Sequence, residues 1–138
     1  MKNELFHSVL AVDIVQNWAS MILIVDDNES VRAMIRSLIE DVEGDVIEAA
    51  DGGSAIEAFE LRRPEWVLMD INMHPMDGLT AMRAILKKHP GAQVVILSQL
   101  QDAPTRNTAL SMGAHAFIGK EDLMELRELV APKTFEQT

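Results

Sequence analysis

Trp66-Val67-Leu68-Met69-Asp70-Ile71-Asn72-Met73-His74-Pro75-Met76-Asp77-Gly78 begins as four consecutive apolar residues and breaks abruptly at an acid. An unbroken apolar run of this length reads as a strand buried on both faces, and the Pro and Asp-Gly after it mark a loop. The stretch is therefore a central parallel strand that delivers the Asp70 carboxylate to its C-terminal edge, where open α/β sheets bind ligands. Taken alone, an Asp in this place is better read as the cap of the helix starting near Asp77. What Asp70 does is decided by the ends of the other strands.

Upstream, Met21-Ile22-Leu23-Ile24-Val25 is a second unbroken run, terminated by Asp26-Asp27. A helix follows from about Glu29, with Val31, Ile35, Leu38 and Val42 on one face, and Gly44-Asp45 ends it. Val46-Ile47 with Ala49 makes a short strand, and Asp51-Gly52-Gly53 turns into a helix carrying Ala55, Ile56 and Phe59 that Pro64 closes. Downstream, a helix from about Gly78 to Lys88 turns Leu79, Met82, Ile85 and Leu86 inward and stops at His89-Pro90-Gly91. Val94-Val95-Ile96-Leu97 is a strand ending at Ser98, and Ala103-Pro104 opens a helix that reaches Met112 with Gly113 as its C-terminal cap. Ala116-Phe117-Ile118 is the last strand. Lys120 follows it, then a helix from Glu121 to Val130 with Leu123, Leu126 and Val130 on one face.

Five strand-helix units with short connections imply a parallel five-stranded sheet with helices on both faces and right-handed crossovers. The expected fold is an α/β flavodoxin-like doubly wound three-layer sandwich with strand order 2-1-3-4-5. That order sets the first and third strands side by side, so Asp26, Asp27 and Asp70 converge on one crevice. The domain spans residues 21–131, with an N-terminal extension at 1–20 and a C-terminal tail at 132–138. Phe6, Val9, Leu10, Ile14 and Trp18 could share a helical stripe in the extension. His7 and Asp13 break its apolar run, which disfavours a secretory signal, and it is too short to cross a membrane.

At 138 residues the chain fits one domain with a real core. A net charge of −10 and a pI of about 4.7, with no Lys/Arg cluster, argue against binding nucleic acid or anionic membranes. The absence of cysteine removes disulfides and thiolate metal sites and fits a reducing, cytoplasmic setting. The nine methionines are read as flexible core filler.

Three carboxylates within a few ångströms repel one another, and without compensation at least one takes up a proton. A divalent cation removes the problem, and an all-oxygen ligand set with neither His nor Cys favours Mg²⁺, which keeps waters that phosphate oxygens can replace. An Asp beside Mg²⁺ can act as the nucleophile that forms an aspartyl phosphate. Ser98 and Lys120 arrive at neighbouring strand ends. Alone, each is an ordinary turn residue or surface charge; with the acids they make a specific constellation.

These residues resemble the receiver domain of two-component response regulators over roughly residues 21–131. Ile24-Val25-Asp26-Asp27, Met69-Asp70-Ile71-Asn72-Met73 with Met76-Asp77-Gly78, Leu97-Ser98 and Phe117-Ile118-Gly119-Lys120 fall in that family's order and approximate spacing. The resemblance implies that Asp70 is the phosphoacceptor and that Asp26, Asp27, Asp70 and the Asn72 backbone carbonyl hold Mg²⁺. It implies too that Ser98 and Lys120 bind phosphoryl oxygens, and that Ser98 and Phe117 form the switch. The chain departs from the family pattern at His74, where Pro is usual, at Gln99, where a small residue is usual, and at Glu121, where many members have Pro. His74 is read as a loop substitution, Gln99 bears on the rates of phosphoryl entry and hydrolysis, and no cis peptide is expected after Lys120.

The expected function is a stand-alone phosphoacceptor. It takes a phosphoryl group from a sensor histidine kinase or phosphotransfer protein and signals to a downstream protein through a changed surface, with a homodimer possible. It is not an enzyme beyond its own phosphorylation and dephosphorylation. A degenerate receiver acting only by protein contact is the second reading. A Mg-dependent phosphatase with an Asp nucleophile is third, because such enzymes usually carry a second acid where this chain has Asn72. A flavodoxin is excluded by Asp26-Asp27, which would repel the flavin phosphate, and a dinucleotide site by the missing glycine fingerprint.

Overall fold

The computed structural model describes residues 21–41 and 44–131. In chain order the elements are β1 (Met21–Val25), α1 (Glu29–Ile39), β2 (Asp45–Ala49), α2 (Gly52–Arg62), β3 (Trp66–Asp70), α3 (Gly78–Lys88), β4 (Val94–Ser98), α4 (Ala103–Ser111), β5 (Ala116–Gly119) and α5 (Leu123–Val130). The strands form one parallel sheet in the order β2-β1-β3-β4-β5. This is the flavodoxin-like topology expected from the sequence.

Alternate side chains along each strand serve the two faces of the sheet. Leu23, Val25, Val67, Met69, Val94, Ile96 and Phe117 pack on one face with Ala55 and Phe59 of α2, Ala81, Met82 and Ile85 of α3, and Ala109 of α4. Ile22, Ile24, Trp66, Leu68, Val95, Leu97 and Ile118 pack on the other with Ile35 and Ile39 of α1 and Leu123, Leu126 and Val130 of α5. The two-sided burial explains why β3 and β4 are buried at every residue, whereas edge strand β2 is largely open.

Helix starts follow local chemistry. Asn28, Asp51, Asp77 and Asp102 each accept the backbone N–H three residues on, from Val31 (3.0 Å), Ser54 (2.7 Å), Thr80 (2.8 Å) and Thr105 (3.0 Å). Pro104 stands in the first turn of α4. Helix α2 ends on Arg63 in the left-handed region, φ 48°, immediately before Pro64.

The structure amends several local expectations. Helix α5 begins at Leu123 rather than Glu121, because the Asp122 N–H bonds back to the Gly119 carbonyl (2.8 Å) and closes a tight turn first. Ile39 fills the buried end of α1; Val42 lies outside the described residues, as does the expected stripe from Phe6 to Trp18. Leu79 and Leu86 are half-buried, and the small residues let α3 pack closely: Gly78 against the end of β3 and Ala81 against Gly52 of α2. Among the described residues no helix is long and apolar enough to cross a membrane.

Candidate functional site

The parallel register places the last residues of β1 and β3 side by side: Val25 is level with Met69, so Asp26 and Asp70 are the next residues on adjacent strands. Strand β4 lies on the other side of β3, with Leu97 opposite Asp70, and Ser98 is opposite Gly119 of β5, one residue before Lys120. The expected convergence is present. Asp26, Asp27 and Asp70 each offer a carboxylate oxygen within 4.8 Å of the others, Asp26 and Asp70 buried and Asp27 exposed. They line a cavity of about 220 Å³ with Asn28, Val31, Asn72, Gln99 and Lys120. Asp70 does not cap α3; Asp77 does.

Lys120 reaches back across the sheet edge, its Nζ 2.9 Å from Asp26 Oδ2 and 2.9 Å from Asp70 Oδ1. It supplies part of the compensation that the sequence reading assigned wholly to a metal. Burial, joined by the nearby charge of Asp26, holds the Asp70 carboxyl above its usual range, although Lys120 and the Asn72 backbone N–H pull it down. Burial by itself would lower the Lys120 ammonium, but its bonds to Asp26 and Asp70 prevail and its pKa is raised. Three carboxylates against one ammonium leave a formal charge of −2 (−3 + 1), which one divalent cation cancels. An all-oxygen set of this charge fits a hard cation.

Hydrogen bonds hold Asp26 at both its backbone and its side chain. The Asn28 N–H donates to Asp26 Oδ1 (2.9 Å) while the Asn28 side chain caps α1, so one residue starts the helix and fixes a carboxylate. The Asp26 N–H donates to the Ala49 carbonyl (3.2 Å), and its carbonyl accepts from Arg32 Nη1 (2.7 Å). Gly78 stands where a Cβ would meet the Asp70 carbonyl oxygen at 2.1 Å, and its N–H donates to the Ile71 carbonyl (2.9 Å). Asn28, Arg32 and Gly78 were not read from the sequence as site residues, whereas Gln99, singled out there for its bearing on phosphoryl entry, does line the cavity. Asn28 carries a legible signal, an N-cap residue directly after the paired acids.

Ser98 and Phe117 are buried but do not line the cavity. The Ser98 hydroxyl accepts the Leu100 N–H (3.1 Å), a turn bond, and its carbonyl accepts the Lys120 N–H (2.8 Å). Phe117 belongs to the core that α2, α3 and α4 cover. His74 is exposed, outside the carboxylate cluster, and is joined to Pro75 by a cis peptide.

The family model for the response regulator receiver domain matches residues 22–131. The chemotaxis protein CheY of Listeria monocytogenes is 36% identical over 100 residues, covering 72% of this chain and 84% of the relative. A protein-glutamate methylesterase/protein-glutamine glutaminase of Alkalilimnicola ehrlichii is 41% identical over 102 residues, covering 71% of this chain but 26% of that protein. Among solved structures, a LuxR-family response regulator from Aurantimonas superposes with a TM-score of 0.74 at 31% identity, over 79% of this chain and 80% of that one. A chain of the CheX-CheY-BeF3-Mg²⁺ complex from Borrelia burgdorferi gives 0.75 at 28% identity, over 80% and 86%. With its sheet order, its acid cluster and these matches, the chain belongs to the receiver-domain family of two-component response regulators.

Proposed function

We propose that Asp70 is the phosphoacceptor of this receiver and takes its phosphoryl group from the phosphohistidine of a sensor kinase or phosphotransfer protein. The observation that carries the reading is the meeting of Asp26, Asp27, Asp70 and Lys120 in one cavity at the C-terminal edge of the sheet. An Asp70 carboxylate oxygen attacks phosphorus; the P–N bond to the donor imidazole breaks, and the imidazole nitrogen keeps the electron pair and takes a proton. Lys120, already 2.9 Å from Asp70, is placed to donate to a phosphoryl oxygen once the Asp70 charge is shared with phosphorus.

Asp26, Asp27, Asp70 and the Asn72 carbonyl would hold Mg²⁺, which when bound neutralises the charge that the phosphoryl oxygens bring to the acids. Asn28 and the Ala49 carbonyl keep Asp26 aimed at that position. Ser98 is the candidate donor to a second phosphoryl oxygen: its hydroxyl accepts the Leu100 N–H and keeps its own O–H to donate. Phe117 is the candidate aromatic that follows, altering the surface of α4, β5 and α5 that a downstream protein, or a second copy, reads. The working unit is residues 21–131, in a cytoplasmic setting, with 1–20 and 132–138 as flanking segments.

The test is incubation with Mg²⁺ and acetyl phosphate, followed by intact-mass measurement. A gain of one phosphoryl group in the wild type, lost in Asp70→Asn, is expected. An undiminished gain in Asp70→Asn would place the acceptor elsewhere.

A further inference from the structure

Arg32 is the one guanidinium among the described residues that touches the backbone of the acid pair. It lies one turn into α1, its side chain only 16% exposed, and divides its donors between two elements. Its Nη1 donates to the Asp26 carbonyl at 2.7 Å, and its Nε to Glu48 Oε1 on edge strand β2 at 2.8 Å. The second Glu48 oxygen is taken by Arg36 Nε at 2.7 Å, and Arg36 Nη2 donates to the Val46 carbonyl at 3.1 Å. Arg36 is thus a second cation on the same carboxylate that makes no contact with Asp26. Bonds to Arg36 first, and Arg32 second, hold the Glu48 carboxyl below its usual range, so it stays ionised and available as an anchor.

We propose that Arg32 is a positioning residue for the metal-binding acids, clamping the Asp26-Asp27 peptide against β2 through Glu48 so that both carboxylates face the cavity. This rests on the Mg²⁺ reading above. The Asp26 backbone is gripped from both sides: its N–H by the Ala49 carbonyl of β2 and its carbonyl by Arg32, which is itself anchored on β2. The side chain of Asp26 is held separately, by the Asn28 N–H and Lys120. Asp27 has its own amide in the clamped peptide, and its exposed carboxylate depends on that peptide for direction. Partners that orient metal ligands in this way commonly matter for affinity by about tenfold or more. A lysine cannot replace the fork, because one ammonium does not span a carbonyl and a carboxylate in the geometry of Nη1 and Nε.

Sign separates this role from plain charge. If Arg32 were only a nearby positive charge, removing it would deepen the negative potential of the acids and tighten Mg²⁺ binding. A clamp predicts the reverse. The experiment titrates Mg²⁺ into the full chain, following backbone amide shifts by NMR, for wild type, Arg32→Ala, Arg32→Lys and Arg36→Ala, with the metal-free spectra and melting curves as checks of folding. Arg32→Ala and Arg32→Lys are expected to weaken Mg²⁺ about tenfold, and Arg36→Ala to stay within about twofold of wild type. Phosphorylation from acetyl phosphate should follow: slow in the Arg32 variants at limiting Mg²⁺, restored toward wild type at saturating Mg²⁺. Equal or tighter binding by Arg32→Ala overturns the proposal, as does a loss in Arg36→Ala as large as that in Arg32→Ala. If Arg32→Ala does not fold, the charge-preserving Arg32→Lys decides alone. A wild type that binds no Mg²⁺ would instead overturn the metal reading itself.

Discussion

Burial makes the Asp70 carboxyl costly to ionise. The group titrates above the ordinary range mainly for that reason, so the folded chain holds that proton to higher pH than the unfolded chain does. Folding therefore takes up a proton between the ordinary value and the raised one, and the Asp70 contribution to stability falls as pH rises through that window. Asp70→Asn should raise the urea midpoint of the metal-free protein at neutral pH, and the advantage should shrink toward about pH 4. A variant no more stable than wild type at neutral pH would mean that the buried charge is fully compensated. Lys120 has the opposite sense. Its raised pKa gives stability that is complete below the usual lysine value and is lost as pH rises through the folded value. Replacing it by Ala strands Asp26 and Asp70 without their shared cation, and should cost about 2 kcal/mol or more at neutral pH. That cost should fall in acid, as the Asp70 carboxyl protonates; urea unfolding across pH reads both variants.

At the scale of the element, helix α3 begins where it does because Asp77 caps it and Gly78 lets it touch β3. The Asp77 bond to the Thr80 N–H is an ordinary cap, and Asp77→Ala should cost about 1 kcal/mol without altering Mg²⁺ affinity. Gly78→Ala is a different injury. Its Cβ would collide with backbone, the Asp70 carbonyl oxygen 2.1 Å away, and backbone has no rotamer by which to yield. Either α3 lifts or the end of β3 shifts, at about 2 kcal/mol or more in urea unfolding, and acetyl phosphate labelling of Asp70 should slow as well. Loss of stability with an unchanged labelling rate would show that α3 moves alone and β3 does not depend on it.

Over the whole molecule, a cluster of net −2 inside a chain of net −10 would link the proposed cation binding to folding. Mg²⁺ at about 100 times its Kd should stabilise the protein by about 2.7 kcal/mol, whereas NaCl of equal ionic strength should do much less. Asp27→Ala, which removes the exposed ligand and leaves the Lys120 bridge intact, should abolish most of the difference. The proposed switch also belongs to this scale. With beryllofluoride as a phosphoryl mimic, amide shifts in wild type should spread from Ser98 to Phe117 and α4, while in Ser98→Ala they stay near Asp70. Equal spreading in both proteins would uncouple the hydroxyl from the aromatic.

The strands and the acids that end them were legible in the chain because they depend on local signals. A buried parallel strand must be apolar on both faces, so Met21–Val25, Trp66–Asp70 and Val94–Ser98 announce themselves, and a polar residue ending such a run can only sit at the sheet edge. Asp102 and Asp77 are likewise short-range features of their helices. What tertiary structure decided are contacts between residues far apart in sequence. Lys120 meets Asp26 across 94 positions and sits between two acids before any phosphoryl group arrives. Arg32, on what the sequence presents as an ordinary polar helix face, reaches Glu48 and the Asp26 carbonyl only because β2 folds beside β1. Ser98 ends its strand as expected, and the turn that follows makes its hydroxyl oxygen the acceptor of the Leu100 N–H, leaving its O–H as a donor. Apolar periodicity is written one residue at a time and survives in the sequence; the pairing of charges is settled by which strand ends the sheet order brings together.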